Sequence, residues 1–260
     1  MLGAIVGDVV GSVYEFHNHR ALDFQLFTPR STFTDDSVLT FATAKALLDG
    51  LDYATVYQDF ARRYPHRGYG GFFYQWVYAK HPQPYNSFGN GSAMRISPVG
   101  FAFESLEDTL AEAQRSAEVT HNHPEGIKGA QAVALAIYLA RHAASKTEIR
   151  QEISTRFGYD LSRTPEQIRK VSRHDETCPG SVPEAIIAFL ESTDFENAIR
   201  LAVSLGGDSD TIACMAGGIA QAFYRGVPAE MATETLARLP EEFVQILRRF
   251  NAKYLPNDLR

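Results

Sequence analysis

Three glycines at four-residue intervals, Gly3, Gly7 and Gly11, run along the apolar segment "LGAIVGDVVGS". In a helix such positions lie on one side, so that side carries no side chains and another helix can approach it at backbone distance. A chain that begins this way is set up for close helix-on-helix packing. Asp8, Ser12 and Glu15 fall at i, i+4 and i+7 and share a face. The segment is too rich in Gly, Ala, Ile and Val for a surface helix, so its two acids require something cationic to meet them.

The rest of the chain repeats the helical theme. "TLAEAQRSAEV", "GAQAVALAIYLARHAA", "VPEAIIAFLES", "FENAIRLAVSL", "IACMAGGIAQAFY" and "PEEFVQILRRFNAKYL" all carry helical periodicity, and no alternating strand pattern or hairpin dipeptide competes with them. Pro183 and Pro240 sit near helix starts, Asp194 can cap the helix from Phe195, and Gly226-Val227-Pro228 ends one helix and begins another. The expectation is an all-α fold in a single domain over residues 1–260. The aromatic, Gly- and Pro-rich stretch from Tyr64 to Gly91 reads as a long surface excursion.

A net charge of −6 excludes strong non-specific binding to nucleic acid or anionic membrane. Cys178 and Cys214 match no metal or redox spacing and read as packing residues of a reducing compartment. The N-terminus has no basic region, its apolar stretch is broken by Asp8, and no run reaches a membrane span. A cytoplasmic monomer is the expectation.

Chemistry concentrates in a few short stretches. "FTDDS" and "GGDSDT" place Thr34, Asp35, Asp36, Asp208, Asp210 and Thr211 at what read as two helix mouths. Capping explains one acid in each, since Asp is a good N-cap and anions are favoured beside the helix dipole. The second acid of each pair suits hard divalent cations, and four aspartates would neutralise two ions about 3.5–4 Å apart. In "NSFGNGSAMRISP", Gly89 and Gly91 permit a tight turn whose amides lie open before a helix near Ser92, an arrangement suited to a phosphate. Arg95 is a phosphate ligand or a buried partner for one of the acids, and Phe88 is placed to stack on a base or ribose. His121 and His123 invite a ligand reading, but no i, i+4 histidine pair or cysteine supports zinc.

Together these pieces resemble the ADP-ribosylglycohydrolases. "GAIVGDVVGSVYEF", "FTDDS", "GNGSAMRISPVG", "THNHPEGIKGAQAVALAI", "SVPEAIIAFL" and "LGGDSDTIACMAGGIAQAFY" run in family order across most of the chain. The resemblance implies a compact domain of orthogonally packed helices with a dinuclear centre, Mg²⁺ or alternatively Mn²⁺, at the bottom of a cleft for ADP-ribose. It carries metal ligation onto Thr34, Asp35, Asp36, Asp208, Asp210 and Thr211, and an acidic role beside the metals onto Glu15. Catalysis would fall to Glu15, Asp35 or Asp36. Ser87, Phe88, Gly89, Asn90, Gly91, Ser92, Met94 and Arg95 would hold the diphosphate and distal part of ADP-ribose, with His121 or His123 lining the same cleft. The implied reaction removes ADP-ribose from a modified protein or other molecule. A non-catalytic ADP-ribose binder and a metal-dependent hydrolase of another ADP-ribose derivative are the alternatives.

Overall fold

The computed structural model describes residues 1–255. Among them are fifteen helices and no strand. The first seven are α1 Leu2–Gly11, α2 Asp35–Asp49, α3 Tyr53–Arg63, α4 Gly71–Val77, α5 Gly91–Met94, α6 Ser97–Ala102 and α7 Leu106–Glu118. Then come α8 Pro124–Arg141, α9 Lys146–Phe157, α10 Pro165–Val171, α11 Cys178–Leu190, α12 Phe195–Leu205, α13 Ser209–Tyr224, α14 Ala229–Leu236 and α15 Glu241–Tyr254. An isolated antiparallel bridge joins Gly89 to Thr177.

Local sequence sets most boundaries. Asp52, Ser145, Thr164 and Asp194 cap α3, α9, α10 and α12 with their side-chain oxygens, and Ser145 with Glu148 and Thr164 with Gln167 complete capping boxes. Pro183 departs from its expected place. It lies inside α11, which begins five residues earlier behind Thr177, whose hydroxyl accepts from Gly180 N at 3.2 Å. The cap and a proline in the first turn are strong enough to start the helix upstream, and Pro183 costs it one interior hydrogen bond.

The centre is α13, buried from Ser209 to Ala222 and packed by α1, α8, α11 and α12. The glycine ladder explains the closest of these contacts. A methyl group added at Gly3 would strike the carbonyl of Gly217, one at Gly7 the carbonyl of Ala213, and one at Gly11 the Cα of Asp210. Backbone lies on backbone along the whole length of α1. The same contact brings Asp8 and Glu15 to the mouth of α13, so the small residues of one helix position the acids of two.

The stretch from Tyr64 to Gly91 is not a surface excursion throughout. It contains α4, buries Phe73, Trp76 and Val77, and supplies one wall of the main cleft. Some of its aromatics cluster inward, Phe73 stacking on Tyr69 and Trp76 at centroid distances of 5.6 and 5.4 Å, while Phe72, Tyr74, Tyr78 and Phe88 stay exposed.

Candidate metal centre and substrate cleft

Three chain segments converge on one point: the C-terminal end of α1 and the N-terminal ends of α2 and α13. Asp8, buried on α1, accepts from Thr34 N at 3.0 Å, Thr34 Oγ1 at 2.7 Å, Ser37 N at 3.1 Å and the Ser37 hydroxyl. It therefore caps α2 from a different helix, meeting amides that have no intrahelical partner. Thr34 is the N-cap of α2 by position, and its hydroxyl accepts from Asp36 N at 3.2 Å. Asp36 accepts on Oδ2 from Thr211 Oγ1 at 3.2 Å, while its Oδ1 is buried with no partner. Asp210 accepts from Thr211 N at 3.0 Å, and Asp208 accepts from Asn90 Nδ2 at 2.7 Å.

Carboxylate oxygens of Asp8, Asp36 and Asp210 lie within 4.8 Å of one another, as do those of Glu15, Asp208 and Asp210. Asp210 belongs to both groups. Asp35 lies in neither, although it lines the same cleft. Burial, followed by repulsion from neighbouring acids, pushes the carboxyls of Asp35, Asp36 and Asp210 well above the usual range. Glu15 is pushed up to about 7, first by burial and then by Asp208.

Among the described residues, no lysine or arginine bonds to Asp36, Asp208 or Asp210. The nearby guanidinium of Arg20 is bonded to the carbonyls of Arg169, Ser172 and Leu205, and that of Arg67 to Thr32 Oγ1 and the carbonyl of Phe33. The donor set is all oxygen, with an orphaned carboxylate oxygen at its centre, and it fits a hard divalent cation in the manner of Mg²⁺, Mn²⁺ or Ca²⁺.

Above this floor opens a cleft of about 440 Å³, lined by Glu15, Asp35, Asp36, Asp208, Asp210 and Thr211 at one end. Its walls include Ser87, Gly89, Asn90, Gly91, Met94, Arg95 and His121, with Phe16, Phe72, Phe73, Tyr69 and Tyr85 around them. The volume lies in the range of about 300–1,000 Å³ usual for small-ligand sites. Asn90 ties the turn to the floor, its side chain reaching Ser181 Oγ at 2.9 Å as well as Asp208. Gly91 and Ser92 open α5, and their amides have no partner among the described residues.

The candidates divide at this point. His121 faces the cleft, whereas His123 caps α8, accepting from Glu125 N at 3.1 Å, and rests against the Phe88 ring. Phe88 is 46% exposed and outside the lining, and Ser92 turns its hydroxyl to the carbonyl of Gly126 at 2.7 Å. Arg95 is fully buried. It donates through Nη2 to Ser116 O at 2.8 Å and Thr120 Oγ1 at 3.0 Å and lies 4.2 Å over the Tyr57 ring, so none of the acids is its partner. Sequence reasoning put Asp8 on the acidic face of α1 without assigning it to the site, and it named Asn90 for the substrate without foreseeing that its amide bonds Asp208. The signal for Asp8 was its place on the helix that also carries the glycine ladder.

Comparison with known proteins decides the relationship. The ADP-ribosylglycohydrolase family model matches residues 1–257. The chain belongs to this family. It is 30% identical to ADP-ribosylhydrolase ARH3 of Mus musculus over 86% of this chain and 82% of that one. It is 26% identical to ADP-ribosylarginine hydrolase Tri1 of Pseudomonas putida over 88% and 71% of the two chains. A solved structure, titled an ADP-ribosylglycohydrolase-related protein complex, superposes with a TM-score of 0.73 at 26% identity, covering 97% of this chain and 96% of that one. Its fold is all-helical in the manner of the family, and no described helix is long and apolar enough to cross a membrane.

Proposed function

We propose that this member of the family hydrolyses the glycosidic bond between ADP-ribose and an acceptor, with two divalent cations at the floor of the cleft. The observation that carries the reading is the sharing of Asp210 between two adjacent carboxylate groups, one of them containing the orphaned Asp36 oxygen. Asp36, Asp208, Asp210 and Thr211 would hold the ions, Asp210 belonging to both carboxylate groups, with Asp35 at the border and Thr34 orienting Asp36. Mg²⁺ is the ion proposed and Mn²⁺ a substitute. Bound cations supply charge to fix ribose hydroxyls and lower the pKa of a water.

The remaining chemistry belongs to the chain. Glu15 stands half-buried at the open edge of the floor, and we assign it the proton of the attacking water. Asp8 holds the mouth of α2, and with it Asp36, in place. The free amides of Gly91 and Ser92 suit the diphosphate, with Asn90 keeping the turn in register with Asp208.

Incubation with a panel of ADP-ribosylated peptides, nucleic-acid ends and O-acyl esters in Mg²⁺ or Mn²⁺, read by mass, tests the proposal. Free ADP-ribose is the expected product. AMP would mean cleavage at the diphosphate, and binding without any product would make the chain a non-catalytic relative.

A further inference from the structure

We propose that Arg95 and Thr120 lock His121 into a single tautomer, with its proton on Nε2, so that the ring presents a neutral N–H donor to the cleft beside the Gly89–Gly91 turn. The argument is a count of protons. Arg95 Nη2 can only donate, and it lies 3.0 Å from Thr120 Oγ1, so the hydroxyl oxygen accepts there. Thr120 has one hydrogen left to give, and His121 Nδ1 is 2.7 Å away. Were Nδ1 to carry a proton, it would take the place of that hydrogen. The Thr120 hydroxyl, fully buried and in contact with no other acceptor, would then strand its proton without a partner. With Thr120 donating to Nδ1, the hydrogens of Arg95 Nη2 and of the Thr120 hydroxyl are all placed, and the ring proton falls on Nε2.

Two further observations support the arrangement. Burial, and then the charge of Arg95, push His121 well below the usual histidine range, so the ring stays neutral. Arg95 is itself fixed from behind by Tyr57, whose hydroxyl bonds Ser116 Oγ at 2.7 Å and Thr43 Oγ1 at 2.9 Å. His121 Nε2 has no partner among the described residues, and the two glycines keep its surroundings open. A Cβ at Gly91 would stand 3.1 Å from it and one at Gly89 3.6 Å. The free N–H suits a ligand rich in acceptor oxygens. That the ligand is ADP-ribose rests on the function proposed above, but the tautomer does not.

Long-range ¹H–¹⁵N spectra of the Mg²⁺-loaded protein, with His121→Gln to assign the signal among the eight histidines, test the lock directly. The expected pattern is a protonated Nε2 and a bare Nδ1 at neutral pH. Thr120→Val, which keeps the shape and removes the hydroxyl, should mix the tautomers and weaken ADP-ribose binding about tenfold, or about 1.4 kcal/mol. Thr120→Ser should restore both. A proton on Nδ1 or an imidazolium in the wild type overturns the proposal, as does a Thr120→Val spectrum and affinity identical to wild type. If the valine variant fails to fold, the wild-type spectrum still decides. If wild type fails to bind ADP-ribose, the cleft's ligand is wrong and the tautomer stands or falls on the spectrum.

Discussion

The floor of the cleft and its His121 wall are opposite in charge and in what they lack. Asp8, Asp36, Asp208, Asp210 and Glu15 crowd acidic groups into one space, with no lysine or arginine of the described residues bonded among them. A few residues away the wall buries a guanidinium with no carboxylate against it, and Nε and Nη1 of Arg95 have no partner. Each end alone would be an expensive defect, because unpaired buried charge is costly. Side by side they form a cleft graded from negative to positive, suited to a ligand that reaches the floor through hydroxyls and cations and the wall through an anionic group.

Asp210→Asn should give the largest break in this contrast. Asn keeps the shape but removes the charge shared by both groups, so turnover should fall by at least about 100-fold and bound metal should drop, while circular dichroism stays native. Asp36→Asn should behave alike. Asp35→Asn should cost less, since Asp35 lies outside both groups, and equal losses at Asp35 and Asp36 would erase the distinction drawn here.

Removal of metal comes next. At a hundredfold excess over Kd, an ion that binds only the folded chain adds about 2.7 kcal/mol, which for this size corresponds to about 5–10 °C in Tm. Chelation should lower Tm by that much and abolish turnover. An unchanged melting curve would mean that the floor tolerates its own repulsion.

The wall is probed by Gly91→Ala. Gly91 is the first residue of α5, so the conflict is one of space: the new methyl meets His121 Nε2 and Cε1 at 3.1 and 3.2 Å. ADP-ribose affinity should fall about tenfold with metal affinity unchanged, as calorimetric titration of each ligand would show. A parallel loss of both would place the glycine in service of folding alone.

The smallest effect is expected outside the cleft. Burial holds Glu184 at about 7 despite Arg163 at 3.6 Å. With its folded pKa above the ordinary value of about 4.3, the stability it contributes is full below that value and lost as pH rises through about 7. Wild type should therefore lose a few degrees of Tm between pH 5 and 8 that Glu184→Gln retains, with or without chelator. A chelator-dependent difference would tie Glu184 to the metal floor.

Much of this was written locally. Periodicity and caps mark the helices because hydrogen bonds between near neighbours carry that information, and two acid pairs beside glycines mark the floor. His121 and His123, two residues apart, could not be separated by spacing. Only the start of α8 makes one a cap and turns the other inward. Arg95 was equally ambiguous, because its partners, Ser116 and Thr120, come from the segment ending α7.

By itself, the sequence determined an all-helical chain, the glycine ladder that lets α1 and α13 touch, and the acids at the mouths of α2 and α13. Tertiary structure alone decided that Asp8 caps a helix other than its own, that Asp210 is common to two carboxylate groups, and that the aromatic stretch after Tyr64 forms a wall. Helix propensity and capping act over three or four residues, whereas the field at a buried oxygen depends on whichever atoms packing brings within a few ångströms, however distant in the chain.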